Sequence, residues 1–314
     1  MVGSAAMAPD PRSTGSALLA PIPLRTARAN APDVPFLGLD SVWFQIGGTL
    51  CNLKCRHCFI SCGPANHAHE LMTRAEVRPY LDEARELMVN DFYFTGGEPF
   101  LNREIVEILE DALAIGPATV LTNGTLLPEE RCRALAAAHE ASPYSLEVRV
   151  SLDGTTPATN DPIRGEGSFE DAMAGVERLA AAGLNPILTV ARTWGDAEDD
   201  ATRERFHELL RERGVTRPRV KVLPLFLLGR ETERTRGYGE GELLTHAHME
   251  GHDPFTLQCS TSRIVTSRGV MVCPLLIDAT DAFMGRTLRE SLRPHPLAHG
   301  ACYTCWATGA TCRN

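Results

Sequence analysis

The chain has 314 residues, 43% of them hydrophobic and 23% charged, so it can bury a full core and suits one large domain with a small appendage. No apolar run approaches the ~20 residues that a membrane span requires, which predicts a soluble protein with no membrane partner. The formal net charge of -9 argues against general binding to nucleic acid or anionic lipid and is compatible with a cationic substrate.

Residues 1–35 are rich in Ala, Pro, Ser and Arg without apolar periodicity, which predicts a disordered leader or a cloning remnant. The segment lacks the charged and apolar regions of a secretory signal, so we expect a protein of the reducing cytoplasm. Clustered thiols there are more often metal ligands than disulfides. Nine of the ten cysteines form two groups near the chain ends, with Cys132 between them, and Cys62 and Cys132 are expected to be structural.

Short apolar runs alternate with amphipathic segments over residues 36–230, the predicted main domain. Strands are expected at residues 42–46, 92–94, 119–121, 147–152, 186–190 and 220–227. Helices are expected at residues 73–89, 105–114, 168–182 and 201–213, and Thr73 with Glu76 forms a capping box at the first of them. Strands separated by helices pair in parallel through crossovers, which leaves open a doubly wound sheet and a barrel or partial barrel.

The pattern changes after residue 230 to charged, Gly-rich residues, followed by a predicted hairpin at residues 262–273 and a cysteine-bearing tail. So short a segment has little core of its own. Residues 231–314 are therefore predicted to form a small domain that is held together by a metal centre.

The first cysteine group follows the first predicted strand. Cys51, Cys55 and Cys58 have the spacing C-x3-C-x2-C, with which one loop can place three thiolates around one cluster. Three ligands leave one iron of a four-iron cluster open for a substrate or cofactor. The alternatives are buried cysteines or a zinc site completed by His57 or His67.

A glycine-rich turn follows the second predicted strand, in the order Thr95-Gly96-Gly97-Glu98-Pro99. Paired glycines permit backbone conformations and close approaches that a side chain would block. Exposed N–H and C=O groups of this turn are expected to bind a small amino acid moiety. The cysteine spacing and the turn, in this order, resemble the radical S-adenosylmethionine (SAM) superfamily.

The resemblance implies that the three cysteines bind a [4Fe–4S] cluster and that residues 96–99 hold the methionine part of SAM. It also implies a partial (β/α)6 TIM-type barrel over residues 36–230 and an external electron donor such as flavodoxin or ferredoxin. Non-enzymatic roles, as an iron–sulfur electron carrier or a zinc protein, remain alternatives.

Further cofactor contacts are implied by the resemblance. Thr122 and Asn123 close the third predicted strand, and Ser151 and Arg164 stand where related enzymes reach the ribose or the carboxylate of SAM. His57 stands beside the last cysteine, where the family usually carries an aromatic residue, and its ring can lie against adenine. Each of these residues taken singly is also a common turn, surface or structural group.

The second cysteine group consists of Cys259 and Cys273, which flank the predicted hairpin, and of Cys302, Cys305 and Cys312. Their order resembles the start of a SPASM region or its shortened twitch form. That resemblance implies one auxiliary [4Fe–4S] cluster, and a zinc ribbon is the structural alternative.

Four thiolates saturate such a cluster, so one of the five C-terminal cysteines is left over as an inert thiol or as a hydrogen-atom donor. Family precedent leaves Cys312. The compact grouping of the last three cysteines leaves Cys259, which we prefer as the donor, with Cys312 as the alternative. The expected cluster ligands are then Cys273, Cys302, Cys305 and Cys312.

The reaction implied by the resemblance begins when a 5′-deoxyadenosyl radical abstracts hydrogen from carbon. A thiol that returns hydrogen to the opposite face gives an epimer, whereas loss of a proton and an electron to the auxiliary cluster gives a ketone from a secondary alcohol. The layout is similar to that of small aminoglycoside-pathway enzymes such as neomycin C epimerase. The sequence therefore favours an aminoglycoside epimerase, then a dehydrogenase, then a small peptide-modifying enzyme.

Overall fold

The computed structural model describes residues 31–309, and the structural statements below refer to that part of the chain. Residues 1–30 of the predicted leader, and Cys312, lie outside it. The strands are β1 (Asp33–Val34), β2 (Ser41–Phe44), β3 (Asp91–Phe94), β4 (Ala118–Thr122), β5 (Leu146–Ser151), β6 (Ile187–Ala191), β7 (Arg219–Leu223), β8 (Ser262–Thr266), β9 (Gly269–Met271), β10 (Phe283–Gly285) and β11 (His295–Pro296). The α-helices are α1 (Arg74–Glu86), α2 (Ile105–Leu113), α3 (Glu129–Glu140), α4 (Pro157–Arg164), α5 (Ser168–Ala181), α6 (Asp199–Glu212), α7 (His246–Met249) and α8 (Gly300–Thr308).

The strands β2 to β7 pair in parallel and in sequence order, with helices in the connections. They form the centre of a nine-stranded sheet in the order β10-β9-β8-β2-β3-β4-β5-β6-β7, whose two end strands are not paired with each other. This arrangement confirms the prediction of a partial α/β barrel. The carboxyl ends of parallel strands share one edge, which is where ligands bind in such sheets.

Side-chain chemistry explains where α1 begins and where β7 ends. At the start of α1 the Thr73 hydroxyl accepts from the Glu76 N–H at 3.2 Å, and the Glu76 carboxylate accepts from the Thr73 N–H at 2.7 Å, as the capping box predicted. Strand β7 ends before the predicted residue 227 because Pro224 has no N–H for the sheet ladder.

Helices α3, α4, α7 and α8 were not predicted, and α4 has a composition that resembles a loop. Helix α4 contains Pro157, which is tolerated in the first turn, and Pro162, which lacks an N–H for the helix ladder. The Asp161 carboxylate supports its end by accepting the N–H groups of Gly167 and Phe169, each at 2.9 Å.

The C-terminal hairpin is present as β8 and β9, and it also extends the main sheet. Strand β8 pairs in parallel with β2, so that Ser41 lies opposite Ser262 and Phe44 lies opposite Val265. Every residue of β8 is buried, because the strand is covered on both faces. The region after residue 230 is thus continuous with the sheet, and β1 from the predicted leader pairs with β11. Within residues 31–309, no helix combines the length and the apolarity that membrane crossing needs.

Candidate active site

Two loops at the carboxyl ends of β2 and β3 form the first half of the site. The cysteine loop, residues 47–63, carries Cys51, Cys55 and Cys58, and the glycine turn, residues 95–99, follows β3. The three cysteines line one cavity of about 250 Å³, with Cys51 buried and the other two half-buried. Three thiols on a single loop fit the donor set of an iron–sulfur cluster.

The glycine turn is bonded to the backbone of the cysteine loop. The N–H of Gly97 donates to the carbonyl of Gly48 at 2.9 Å, and the N–H of Glu98 donates to the carbonyl of Leu50 at 2.9 Å. A methyl group on Gly97 would overlap the Leu50 carbonyl. Two N–H groups that were expected to bind a ligand are therefore used to hold the two loops together.

The carboxylate of Glu98 is fully buried and organises the next strand end. It accepts from the Thr122 hydroxyl at 2.7 Å, from the Asn123 N–H at 2.8 Å and from the Phe100 N–H at 3.0 Å. Burial raises the pKa of Glu98, although these hydrogen bonds oppose the rise. Glu98 and Pro99 do not line the cavity, whereas Gly96, Gly97, Thr122 and Asn123 do.

A buried carboxylate joins two of the predicted cofactor-binding side chains. Asp153 Oδ2 lies 2.6 Å from His57 Nε2 and 2.6 Å from Arg164 Nε. Burial alone would raise the pKa of Asp153, but Arg164 and His57 together hold it well below its usual range. His57, Arg164 and Ser151 line the cavity. Asp153 does not line it, but it holds His57 and Arg164 in position.

We expect Asp153→Asn to lower the stability of the protein by about 2 kcal/mol at neutral pH, because the charge of buried Arg164 loses its partner. The depressed pKa means that this contribution is complete above the ordinary carboxyl pKa of about 4 and declines as the pH falls below it. Urea unfolding at several pH values measures the effect. Asp82→Asn, at an exposed ion pair, is the control, and equal losses in both variants would contradict the prediction.

Arg230, at the far end of the predicted main domain, closes the cysteine loop, a role that no sequence motif indicates. Its guanidinium donates to the carbonyls of Cys55 at 2.5 Å, Ser61 at 3.0 Å and Cys62 at 2.6 Å. Its backbone N–H donates to the carbonyl of Cys58 at 3.0 Å. The side chain is nearly fully buried and therefore acts as an internal brace of the loop.

Cys62 is the second residue whose role the sequence did not reveal. Its N–H donates to the sulfur of Cys58 at 3.2 Å. The Cys62 thiol and this N–H together hold the pKa of Cys58 below its usual range, although burial opposes them, whereas burial raises the pKa of Cys51 to about 12. Of the two thiols, Cys58 is thus the one more easily converted to the thiolate, the form that binds iron.

The second cysteine group lines the same cavity as the first. Cys259 precedes β8 and Cys273 follows β9, so the hairpin brings them together, and Cys302 and Cys305 lie one turn apart on α8. Burial raises the pKa of Cys302 well above its usual range, and the nearby Cys259 and Cys273 add to this effect. All four thiols line this one cavity.

The thiols are spread around the cavity wall rather than around one point. Within residues 31–309 there is no group of three or more His, Cys, Asp or Glu side chains that could hold a single metal ion. An iron–sulfur cluster binds each thiolate at a different iron atom. Thiols that are spread around the cavity wall are therefore compatible with a cluster. His67, an alternative ligand by sequence, is exposed and does not line the cavity.

Comparison with known proteins places the chain among enzymes of one family. Residues 46–210 match the family described as Radical SAM superfamily. Over 136 residues the chain is 38% identical to the mycofactocin maturase MftC of Mycobacterium tuberculosis, a match that covers 43% of this chain and 33% of the maturase. It is 31% identical over 154 residues to the GTP 3′,8-cyclase of Peptoclostridium acidaminophilum, covering 48% of this chain and 46% of the cyclase. The matches span less than half of these relatives.

Two solved structures share the fold. Streptococcus suis SuiB bound to its precursor peptide SuiA superposes with a TM-score of 0.60 at 16% identity, covering 81% of this chain and 64% of SuiB. The enzyme anSMEcpe with bound AdoMet superposes with a TM-score of 0.55 at 15% identity, covering 80% of this chain and 79% of anSMEcpe. At these identities the likeness concerns the fold alone.

Proposed function

The chain belongs to the radical SAM superfamily, and on that premise we propose that it oxidises a substrate by abstracting a carbon-bound hydrogen in this cavity. The family implies SAM and a [4Fe–4S] cluster, which when bound supply the 5′-deoxyadenosyl radical. Cys51, Cys55 and Cys58 would hold the cluster. The cavity wall offers the SAM-binding positions Gly96, Gly97, His57, Thr122, Asn123, Ser151 and Arg164.

The observation that carries the proposal is the convergence of the two cysteine groups on one cavity. We propose that Cys259, Cys273, Cys302 and Cys305 hold an auxiliary [4Fe–4S] cluster. This assignment moves Cys259, the preferred hydrogen donor by sequence, into the ligand set. Cys312 then becomes the spare thiol.

A saturated second cluster suits electron transfer. A substrate that had given up one hydrogen atom would then lose one proton to solvent and one electron to the auxiliary cluster, which would make it a two-electron oxidation product. The four grouped cysteines support this outcome. Epimerisation of an aminoglycoside, favoured by the cysteine layout, requires Cys312 to return a hydrogen atom instead. A peptide substrate is a further candidate, which the similarity to a maturase supports.

The proposal is tested first by anaerobic incubation of the reconstituted protein with SAM and dithionite. We expect wild type to form 5′-deoxyadenosine and Cys58→Ala to lose this activity, since the triad is then incomplete. Cys132→Ala is the matched control, because Cys132 is buried on α3 away from the cavity. Failure of wild type to cleave SAM, or equal loss in both variants, would refute the proposal.

Deuterium oxide separates the two reactions once a substrate is found. An oxidised product without solvent deuterium at the attacked carbon supports electron transfer to the second cluster. One solvent deuteron at that carbon, lost in Cys312→Ala, would establish epimerisation in its place.

The external donor of electrons is proposed to be a flavodoxin or ferredoxin of a reducing cytoplasm.

A further inference from the structure

We infer that the substrate of this cavity is uncharged and largely apolar, with an uncharged oxygen as hydrogen-bond acceptor; this rests on the proposed function and specifies its substrate class. The first observation concerns the segment that follows β7. Leu223, Pro224, Leu225 and Phe226 all line the cavity. Further apolar walls come from the C-terminal region, namely Leu257, Leu275, Leu276 and Leu297.

The second observation concerns charge. Among the described residues that line the cavity there is no Asp or Glu, although the chain as a whole carries 40 of them. The positive Arg164 and the ring of His57 are both committed to Asp153. Moving an ammonium group from water into such surroundings without a carboxylate partner costs several kcal/mol. The net acidity of the chain, which suggested a cationic substrate, therefore does not extend to the cavity wall.

The third observation concerns two buried polar atoms of the wall. Trp43 Nε1 on β2 and Thr189 Oγ1 on β6 have no hydrogen-bond partner among the described residues. Both side chains line the cavity. An indole N–H only donates, so its partner must accept, and a hydroxyl can do either. Buried polar groups are rarely left unpaired, and an amide, ketone or alcohol oxygen on the substrate can accept a hydrogen bond from either group without charge.

An apolar side chain in a peptide and a small alicyclic alcohol share this chemistry, so the test uses one probe of each kind. The neutral probes are N-acetyl-L-leucine methylamide and cyclohexanol, and the polycation is neamine. Binding is measured by anaerobic calorimetry on the reconstituted protein with SAM at physiological salt, so that any charge of the clusters is included. We expect saturable binding of at least one neutral probe and none of neamine.

Leu225→Asp places a carboxylate in the apolar wall and should weaken binding of the neutral probe by about tenfold or more, since an apolar contact is replaced by a charge. Leu37→Asp, at an exposed leucine, is the matched control and should leave binding unchanged. Saturable neamine binding, absence of binding by both neutral probes, or insensitivity to Leu225→Asp would each overturn the inference. SAM cleavage by wild type without a probe reports the proposed function separately.

Discussion

Gly97→Ala is expected to abolish assembly of the first cluster and to destabilise the protein by about 3 kcal/mol. An added Cβ would overlap the Leu50 carbonyl oxygen, lie 2.5 Å from its carbonyl carbon and press on Cys51. The glycine turn follows β3 and is bonded to the cysteine loop. Neither segment can move away from the other without breaking the hydrogen bond between Gly97 and Gly48. The iron content after reconstitution and the charge-transfer absorption of the cluster are the measurements.

Gly241→Ala provides the control, because the added methyl group meets nothing within 4 Å and the backbone there is not left-handed. This variant should bind iron as wild type does. A Gly97→Ala protein that bound the same iron as wild type would show that the two loops are less tightly joined than the structure indicates.

Arg230→Met is expected to cost about 3 kcal/mol or more and to lower the cluster content, since buried carbonyls of the cysteine loop lose a charged donor. Methionine keeps an apolar stem of similar length but offers no N–H group. Urea unfolding of the iron-free protein separates the loss of stability from the loss of iron. If Arg230 braces the cysteine loop, the substitution should lower both the stability of the iron-free protein and the iron content.

Arg236→Met is the matched control, because Arg236 forms an exposed ion pair with Glu242 six residues further along the chain. Exposed pairs contribute about 1 kcal/mol or less. Should the two variants lose equal stability and equal iron, the bracing role of Arg230 would be disproved.

The parts of the site that the sequence predicted are contiguous motifs. The three cysteines within one loop and the glycine turn after β3 are each readable in a short window, and the cavity unites them. Their chemistry restricts which residues can serve, because iron–sulfur clusters are held mainly by thiolates and only glycine permits the close approach of residue 97 to Leu50.

The parts that the sequence did not predict depend on contacts between distant segments. Arg230 is one arginine among many, and only the fold places it against Cys55 and Cys62. Asp153 follows the strand predicted at residues 147–152, and nothing in the sequence indicates that it is the buried partner of His57 and Arg164. The sequence around a charged residue does not indicate which distant residue will be its partner.

The pairing of β2 with β8 also bears on how the protein is made. Strand β2 carries the chain into the cysteine loop, but its neighbour β8 leaves the ribosome more than two hundred residues later. Until then β2 is an open edge strand, and pairings of such sequence separation form slowly. The growing chain must therefore keep an apolar strand next to the three thiols of the cysteine loop protected from aggregation and oxidation until β8 has been made.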